Sequence, residues 1–242
     1  MSRLAAAAPI VRLGRVDSTQ TVALALAADG ATDGTVVVAD SQAAGRGRRG
    51  RAWADEPGAS QLATIVLRPR LEPSRLPGLS LAAGVAAAEA LMRASGLAPR
   101  LKWPNDVLVG GRKIAGILLE SRVTDAGPIT AILGIGVNLT QRVFPADLAA
   151  RATSVWLASG RRVDREVVLA ALLDALAEWR RRLEHRGFAP VRARWRALSD
   201  TLGRTVTVDG VTGRAVDIDA DGALVVHDGG GRRHRVVAGD VD

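Results

Sequence analysis

Short apolar runs alternate with amphipathic stretches along most of the chain, and their spacing separates strands from helices. Thr35-Val36-Val37-Val38-Ala39 is β-branched and of strand length, which predicts a buried strand. Ahead of it, Asp17-Ser18-Thr19 reads as a helix start, with Val22, Leu24 and Leu26 inside the helix and Gly30 past its end. Gln61 to Leu67 alternates enough to predict a strand, closed by Arg68-Pro69. Leu79 to Ala94 is alanine-rich with apolar Leu81, Val85, Ala88 and Leu91, so a core-facing helix is predicted, stopped by Gly96. Val107-Leu108-Val109 and Ile114 to Leu119 flank Gly110-Gly111 and predict a hairpin. A strand from Ile129 to Leu133 runs into Gly134-Ile135-Gly136-Val137-Asn138-Leu139. Asp164 caps a predicted helix from Arg165 to about His185, ended by Gly187, and a further helix covers Pro190 to Leu198.

The pattern changes near Ser199. From Thr205 the chain reads as short strands with turns at Asp209-Gly210, Asp219 to Gly222 and Asp228 to Gly231. Four or five strands in about 40 residues predict a small barrel resembling an SH3 module. So short a unit should pack on the larger one. The expected division is 1–198 and 199–242. The fold class is therefore α/β in the α+β sense: a mixed-sheet domain with helices, followed by a small C-terminal β-barrel.

Composition narrows the chemistry. Hydrophobic residues make up 48% and charged residues 24% of 242, ordinary globular usage that argues against wholesale disorder. The formal charge of +8 suits an anionic partner, whether nucleic acid, nucleotide or acidic protein, although the Ala/Arg/Gly bias of the whole chain contributes to it. With no cysteine, thiolate nucleophiles, disulfides and Cys-based metal sites are excluded. The three histidines, His185, His227 and His234, all lie in the C-terminal quarter, so a Ser-His-Asp triad or a histidine metal cluster is not expected. Met1 to Ile10 is too short for a signal core and no stretch reaches membrane-spanning length, which predicts a soluble, cytoplasmic protein.

Polar segments embedded in apolar surroundings carry the candidate chemistry. Gln42 to Arg51 places Gly45, Gly47 and Gly50 among Arg46, Arg48, Arg49 and Arg51, with Trp53 two positions later. Its charges repel one another, while backbone N–H groups without Cβ crowding can approach phosphate oxygens that guanidinium forks grip. A solvated basic loop and a nucleic-acid contact are the competing readings, and Trp53 fits a stacking platform or a core position. Lys102-Trp103-Pro104-Asn105-Asp106 sets a lysine, an amide and a carboxylate between two β segments. An Asx-turn opening the hairpin explains Asn105 and Asp106 but not Lys102. Lys113 stands before the apolar strand Ile114 to Leu119, where a snorkelling surface lysine is the alternative; Gly116 within that strand suggests close approach of a ligand or another backbone. Gly134, Gly136 and Asn138 follow the same logic. Ser18 and Thr19 fit a helix N-cap, and their hydroxyls also suit a small polar head group.

Taken together, these segments resemble the biotin protein ligases. The Ser18-Thr19 segment, the Gln42 to Trp53 loop, Lys102 to Asp106, Lys113 to Glu120 and Gly134 to Asn138 occur in that family's order and spacing over most of residues 15–140. The resemblance implies a catalytic domain similar to class II aminoacyl-tRNA synthetases. It also implies two half-reactions using ATP, biotin and Mg²⁺: formation of biotinyl-5′-AMP, then transfer of biotin to a lysine of a biotin carboxyl carrier protein domain. By analogy with matching family positions, Ser18, Thr19 and Gln42 satisfy the ureido ring, with Gly45, Arg46, Lys113 and Gly116 also at the biotin end. Arg46, Arg48, Arg51 and Lys113 supply fixed cations, with Lys113 at the α-phosphate or acyl oxygen and Arg48 closing over the intermediate. Trp53, Asn105 and Asn138 hold the adenine. Lys102 and Asp106 complete the adenylate site, Asp106 tethering an arginine or the hydration shell of Mg²⁺. No residue is assigned as a direct metal ligand.

Acyl adenylates hydrolyse readily, so the loop should exclude water once the intermediate forms; residues 42–53 are expected to be mobile without ligand and protected with it. The family pattern begins by about residue 15, so neither an N-terminal helix-turn-helix domain nor repressor activity is expected. No nucleic-acid or membrane partner is expected, and a homodimer is left open. A lipoate ligase or octanoyltransferase is the nearest rival; a nucleic-acid-binding module is the rival of another class, poorly served by 3% aromatic residues.

Overall fold

The computed structural model describes residues 8–122 and 129–242; the expectation for Met1 to Ile10 falls mostly outside them. Its centre is a seven-stranded mixed sheet. β1 (Ile10–Val16) leads through α1 (Thr19–Ala28) into β2 (Val36–Gln42), which runs parallel to β1 from Ile10↔Val36 to Val16↔Gln42. The remaining strands are antiparallel: β3 (Ser60–Leu67), β4 (Arg100–Lys102), β5 (Asp106–Val109), β6 (Arg112–Arg122) and β7 (Thr130–Asn138). The order across the sheet is β1-β2-β3-β7-β6-β5-β4. Gly110 and Gly111, at φ 57° and 75°, make the two-residue β5–β6 turn that their sequence predicts.

The expected alternation of Gln61 to Leu67 gives way to burial at every position of β3. Both faces are covered. On one side Ala23 of α1 packs with Val37, Val66 and Ile132. On the other, α2 (Leu76–Ser95) lies over β4, β5 and β6 and α4 (Arg165–Arg186) over β3, and Leu79, Ala83, Leu91 and Leu172 share one core with Ile65, Leu133 and Ile135. The alanines of α2 let its backbone approach the sheet closely, and Gly96 ends it in the left-handed region at φ 71°. Asp164 caps α4 by accepting from the Glu166 N–H at 2.7 Å, as expected.

Besides the three-residue β4, two elements lie outside the sequence expectations. β1 carries Arg12, Gly14 and Arg15 among its apolar residues, a pattern suited to a charged sheet edge, and Arg12 pairs with Glu166 at 2.7 Å. The five-residue helix α3 (Val155–Ser159) is too short to show a helical period. α5 (Ala189–Leu198) matches its expected span within a residue.

The C-terminal strands β8 (Thr205–Val208), β9 (Val211–Ile218), β10 (Leu224–His227) and β11 (Arg233–Val236) form a separate antiparallel sheet in the order β11-β10-β9-β8, as expected for an SH3-like unit. It packs on the larger unit through specific bonds. The Trp103 backbone N–H donates to Thr201 Oγ1 at 2.9 Å, its indole Nε1–H to the Gly222 carbonyl at 3.1 Å, and Arg192 to the Ile218 carbonyl at 2.6 Å.

Candidate active site

The parallel β1-α1-β2 unit places the start of α1 beside the end of β2. Ser18 is a buried N-cap whose hydroxyl accepts from the Gln20 N–H at 3.2 Å. Thr19 donates both its backbone N–H (2.8 Å) and its hydroxyl (2.9 Å) to Gln42 Oε1, and the Thr64 hydroxyl donates to Thr19 Oγ1 at 2.8 Å. The capping reading therefore holds for Ser18, while Thr19 and Gln42 belong to a buried polar chain that fixes the orientation of the Gln42 amide.

Beyond Gln42 the backbone folds on itself. The Gly47 N–H donates to the Arg51 carbonyl at 2.7 Å and the Trp53 N–H to the Gly45 carbonyl at 2.9 Å. Between them Arg49 and Gly50 take positive φ, 55° and 73°. The hairpin so formed lays the Trp53 indole into a notch in the sheet. A Cβ on Gly136 would sit 2.7 Å from the indole, and one on Gly116 3.0 Å from it. Lys113 Nζ lies 5.7 Å from the ring centroid. The indole Nε1 is buried with no hydrogen-bond partner among the described residues.

The β4–β5 turn, with a cis Trp103–Pro104 peptide, brings in the third group. Asn105 is pinned to β6 on both sides: its Nδ2 donates to the Ile117 carbonyl at 2.8 Å, and the Ile117 N–H donates to its carbonyl at 2.9 Å. Its Oδ1 accepts from Arg48 at 3.1 Å, which joins this turn to the glycine–arginine loop. Lys113 is the second residue of β6 rather than its forerunner. Its ammonium lies 2.6 Å from Asp106 Oδ1, and its backbone is gripped by the Arg151 carbonyl (2.7 Å) and the Thr153 N–H (2.8 Å). Asn138, at the end of β7, donates to the Thr153 carbonyl at 3.0 Å and keeps Oδ1 buried without a partner among the described residues.

These segments enclose one cavity of about 390 Å³. The sequence-predicted residues line it with a single exception: Gly45 is buried behind the loop, where a Cβ would meet the Trp53 carbonyl at 2.8 Å. Lys102 and Asp106 flank the turn at one end, and Ile117, Leu118 and Ile135 give the cavity an apolar wall. Burial pushes the Arg48 guanidinium below its ordinary pKa, partly opposed by the nearby Asp240 carboxylate. Burial also raises the Asp55 carboxyl, against the hydrogen bond it accepts from the Gln42 N–H.

Several lining residues carry no sequence signal. Gln20 sits among threonines in an ordinary first helical turn, Thr64 lies in an apolar stretch of β3, and Phe144, Leu148 and Arg151 belong to an irregular segment. Asp240 follows the last strand and enters the cavity through the docking of the C-terminal sheet.

Comparison with known proteins agrees with this geometry. Residues 13–138 match the model of the biotin/lipoate A/B protein ligase family, and residues 201–242 that of the biotin protein ligase C terminal domain. The biotin--[acetyl-CoA-carboxylase] ligase of Paracoccus denitrificans is 41% identical over 232 residues, spanning 91% of this chain and 95% of its own length. That of Mycobacterium tuberculosis is 39% identical over 240 residues, spanning 95% and 86%. The structure of a biotin protein ligase from Aquifex aeolicus in complex with biotin and ATP superposes with a TM-score of 0.85 at 29% identity, covering 97% of both chains. The chain belongs to the biotin/lipoate A/B protein ligase family, on its biotin protein ligase branch.

Proposed function

We propose that this chain couples ATP to the biotinylation of a protein lysine in two steps. The biotin carboxylate attacks the α-phosphorus of ATP, giving biotinyl-5′-AMP and pyrophosphate. The ε-amine of a lysine on a biotin carboxyl carrier protein domain then attacks the mixed anhydride, and AMP leaves. The supporting observation is the layout of the cavity. A polar head pocket at Thr19 and Gln42, an apolar wall, the cations Lys113 and Arg48, and the side chains of Trp53 and Asn138 all line one space.

In this reading Ser18, Thr19 and Gln42, with Gly45 shaping the loop behind them, hold the ureido ring, and Ile117 and Ile135 flank the valeryl chain. Lys113 stands at the reacting acyl and phosphoryl oxygens, where fixed positive charge stabilises the charge that develops in the transition state. Arg48 covers the intermediate, with Arg46 and Arg51 beside it. Trp53, Asn105 and Asn138 take the nucleoside, and Lys102 and Asp106 border it. We assign Mg²⁺ to the nucleotide phosphates rather than to a protein cage, with Asp106 near its hydration shell. The reaction is placed in the cytoplasm; no helix among the described residues is long and apolar enough to cross a membrane. We place the boundary between the catalytic and C-terminal units at 198/199.

The deciding assay follows labelled biotin into a purified carrier domain, with lipoate as competitor. Incorporation requiring ATP and the carrier lysine is expected, with no lipoate transfer. Transfer of lipoate instead, or none of either, overturns the reading.

A further inference from the structure

Thr64 is a polar side chain that β3 contributes to the lining of the cavity, where it is 1% exposed. Its register neighbours are Val37 of β2 and Gly134 of β7, so its backbone is held from both sides. Its hydroxyl donates to Thr19 Oγ1 at 2.8 Å, and Gln20 Oε1 lies 3.4 Å from it. Gln20 is itself tied down. Its Nε2 donates to the Ile132 carbonyl at 3.0 Å, and its Oε1 fills the space of a Cβ on Gly134, which would sit 2.6 Å away.

The directions of these bonds follow from what each group can do. A backbone N–H only donates, so the Thr19 N–H at 2.8 Å sets the carbonyl oxygen of the Gln42 amide, not its NH₂, against Thr19. That oxygen only accepts, so the single hydroxyl hydrogen of Thr19 points at it, at 2.9 Å. Between the two threonines, Thr64 is therefore the donor. The relay runs from Thr64 to Thr19 to Gln42, and Gln42 enters it as the last residue of β2, paired with Val16. Thr19 Oγ1 keeps one lone pair, so it meets a ligand as an acceptor. The ring nitrogens of a cyclic urea are donors and suit it.

We infer that Thr64 is a positioning residue for biotin: acting through Thr19, it makes the head pocket an acceptor for a ureido N–H. The inference rests on the ligase reading for the identity of that head group. Without the Thr64 hydrogen, the Thr19 hydroxyl can turn its own hydrogen into the cavity, where it would face the ligand's N–H.

Calorimetric titration of the full chain with biotin, without ATP, tests it. Thr64→Val exchanges one β-branched strand residue for another and removes the donor. Biotin should then bind about tenfold more weakly, the scale of one buried hydrogen bond. Thr64→Ser keeps the donor and should bind biotin as the unaltered chain does. In Thr19→Val the relay has lost its middle, so adding Thr64→Val should weaken binding no further. The apparent KM for ATP and amide exchange within α1 should be the same in Thr64→Val as in the unaltered chain, because a residue that merely stapled α1 to the sheet would disturb both. Normal biotin binding in Thr64→Val overturns the inference, as do additive losses in the double variant, a Thr64→Ser chain as weak as Thr64→Val, or α1 exchange that rises with the lost affinity. Those outcomes remove the role of Thr64 alone, whereas an unaltered chain that binds no biotin removes the ligase reading and the inference with it.

Discussion

Asp106 Oδ1 lies 2.6 Å from Lys113 Nζ, an ion pair made across the β5–β6 hairpin by two residues seven positions apart. The contact holds the lysine's charge at the cavity end of the hairpin, over the gap left by Gly116. With Lys113 assigned to the reacting oxygens, Lys113→Ala should lower the rate of biotin-dependent pyrophosphate release by about 10²–10³, comparable to removing one preorganised electrostatic donor. Asp106→Asn should cost about tenfold, since it leaves the cation present but unheld. Neither change touches the core, so both variants should melt with the unaltered chain. A Lys113→Ala enzyme of normal rate would remove this residue from the mechanism.

The fit of Trp53 against Gly136 gives a second prediction. Gly136→Ala puts a methyl carbon 2.7 Å from the indole, inside contact distance, and β7 is held by neighbours on both sides, so the indole must move. Activity should fall, with a stability cost of about 1–3 kcal/mol for overpacking. Trp53→Ala in the same chain should recover most of that stability but not the activity. Additive stability losses in the double variant would show that the two residues do not meet.

Trp103 joins the β4–β5 turn to the C-terminal unit through two buried bonds. Trp103→Phe keeps the aromatic packing but strips the Gly222 carbonyl of its donor, at a cost of about 1–3 kcal/mol. Because Asn105 lies two residues further on, the apparent KM for ATP should rise while that for biotin stays constant. Equal changes in both would mean the variant merely reduces the folded fraction.

Much of this arrangement was legible in the chain because local chemistry and fold agree. Gly96 and Asp164 mark helix ends by backbone conformation and capping, and Gly110-Gly111 dictates a turn whatever surrounds it. The glycine–arginine loop and the Lys102 to Asp106 turn stood out because polar residues there interrupt apolar runs. What stayed hidden depends on tertiary placement. β1 lacks alternation because Arg12, Gly14 and Arg15 serve a sheet edge. β3 alternates in sequence yet is buried throughout, since α1 covers a face that a two-layer fold would leave wet. Thr64 gains its role from Thr19 across 45 positions, and Asp240 from Arg51 only after a second sheet has docked. Nothing local marks either residue.

The C-terminal sheet carries a pH dependence traceable to Asp219. Burial alone would raise this carboxyl, but the bond from Arg235 and the backbone N–H donors of Asp221 (2.9 Å) and Ala223 (3.0 Å) outweigh it, and the pKa falls below its ordinary 3.8. The folded state therefore binds this proton less readily than the unfolded chain does. Its stabilising contribution is fully present above the ordinary carboxylate range and is lost as pH falls through the depressed folded value. Asp219→Asn keeps an oxygen for the two turn N–H groups and gives up the charge facing Arg235. At about pH 7 the variant should be less stable by about 1 kcal/mol, the scale of a partly exposed charge pair. The gap should hold through neutral pH and narrow in urea melts once pH falls below the ordinary carboxylate range, as the unaltered carboxyl takes up its proton. A gap that keeps its size across that range would mean Asp219 acts through turn geometry alone, and the ion pair with Arg235 contributes nothing to holding the hairpin ends together.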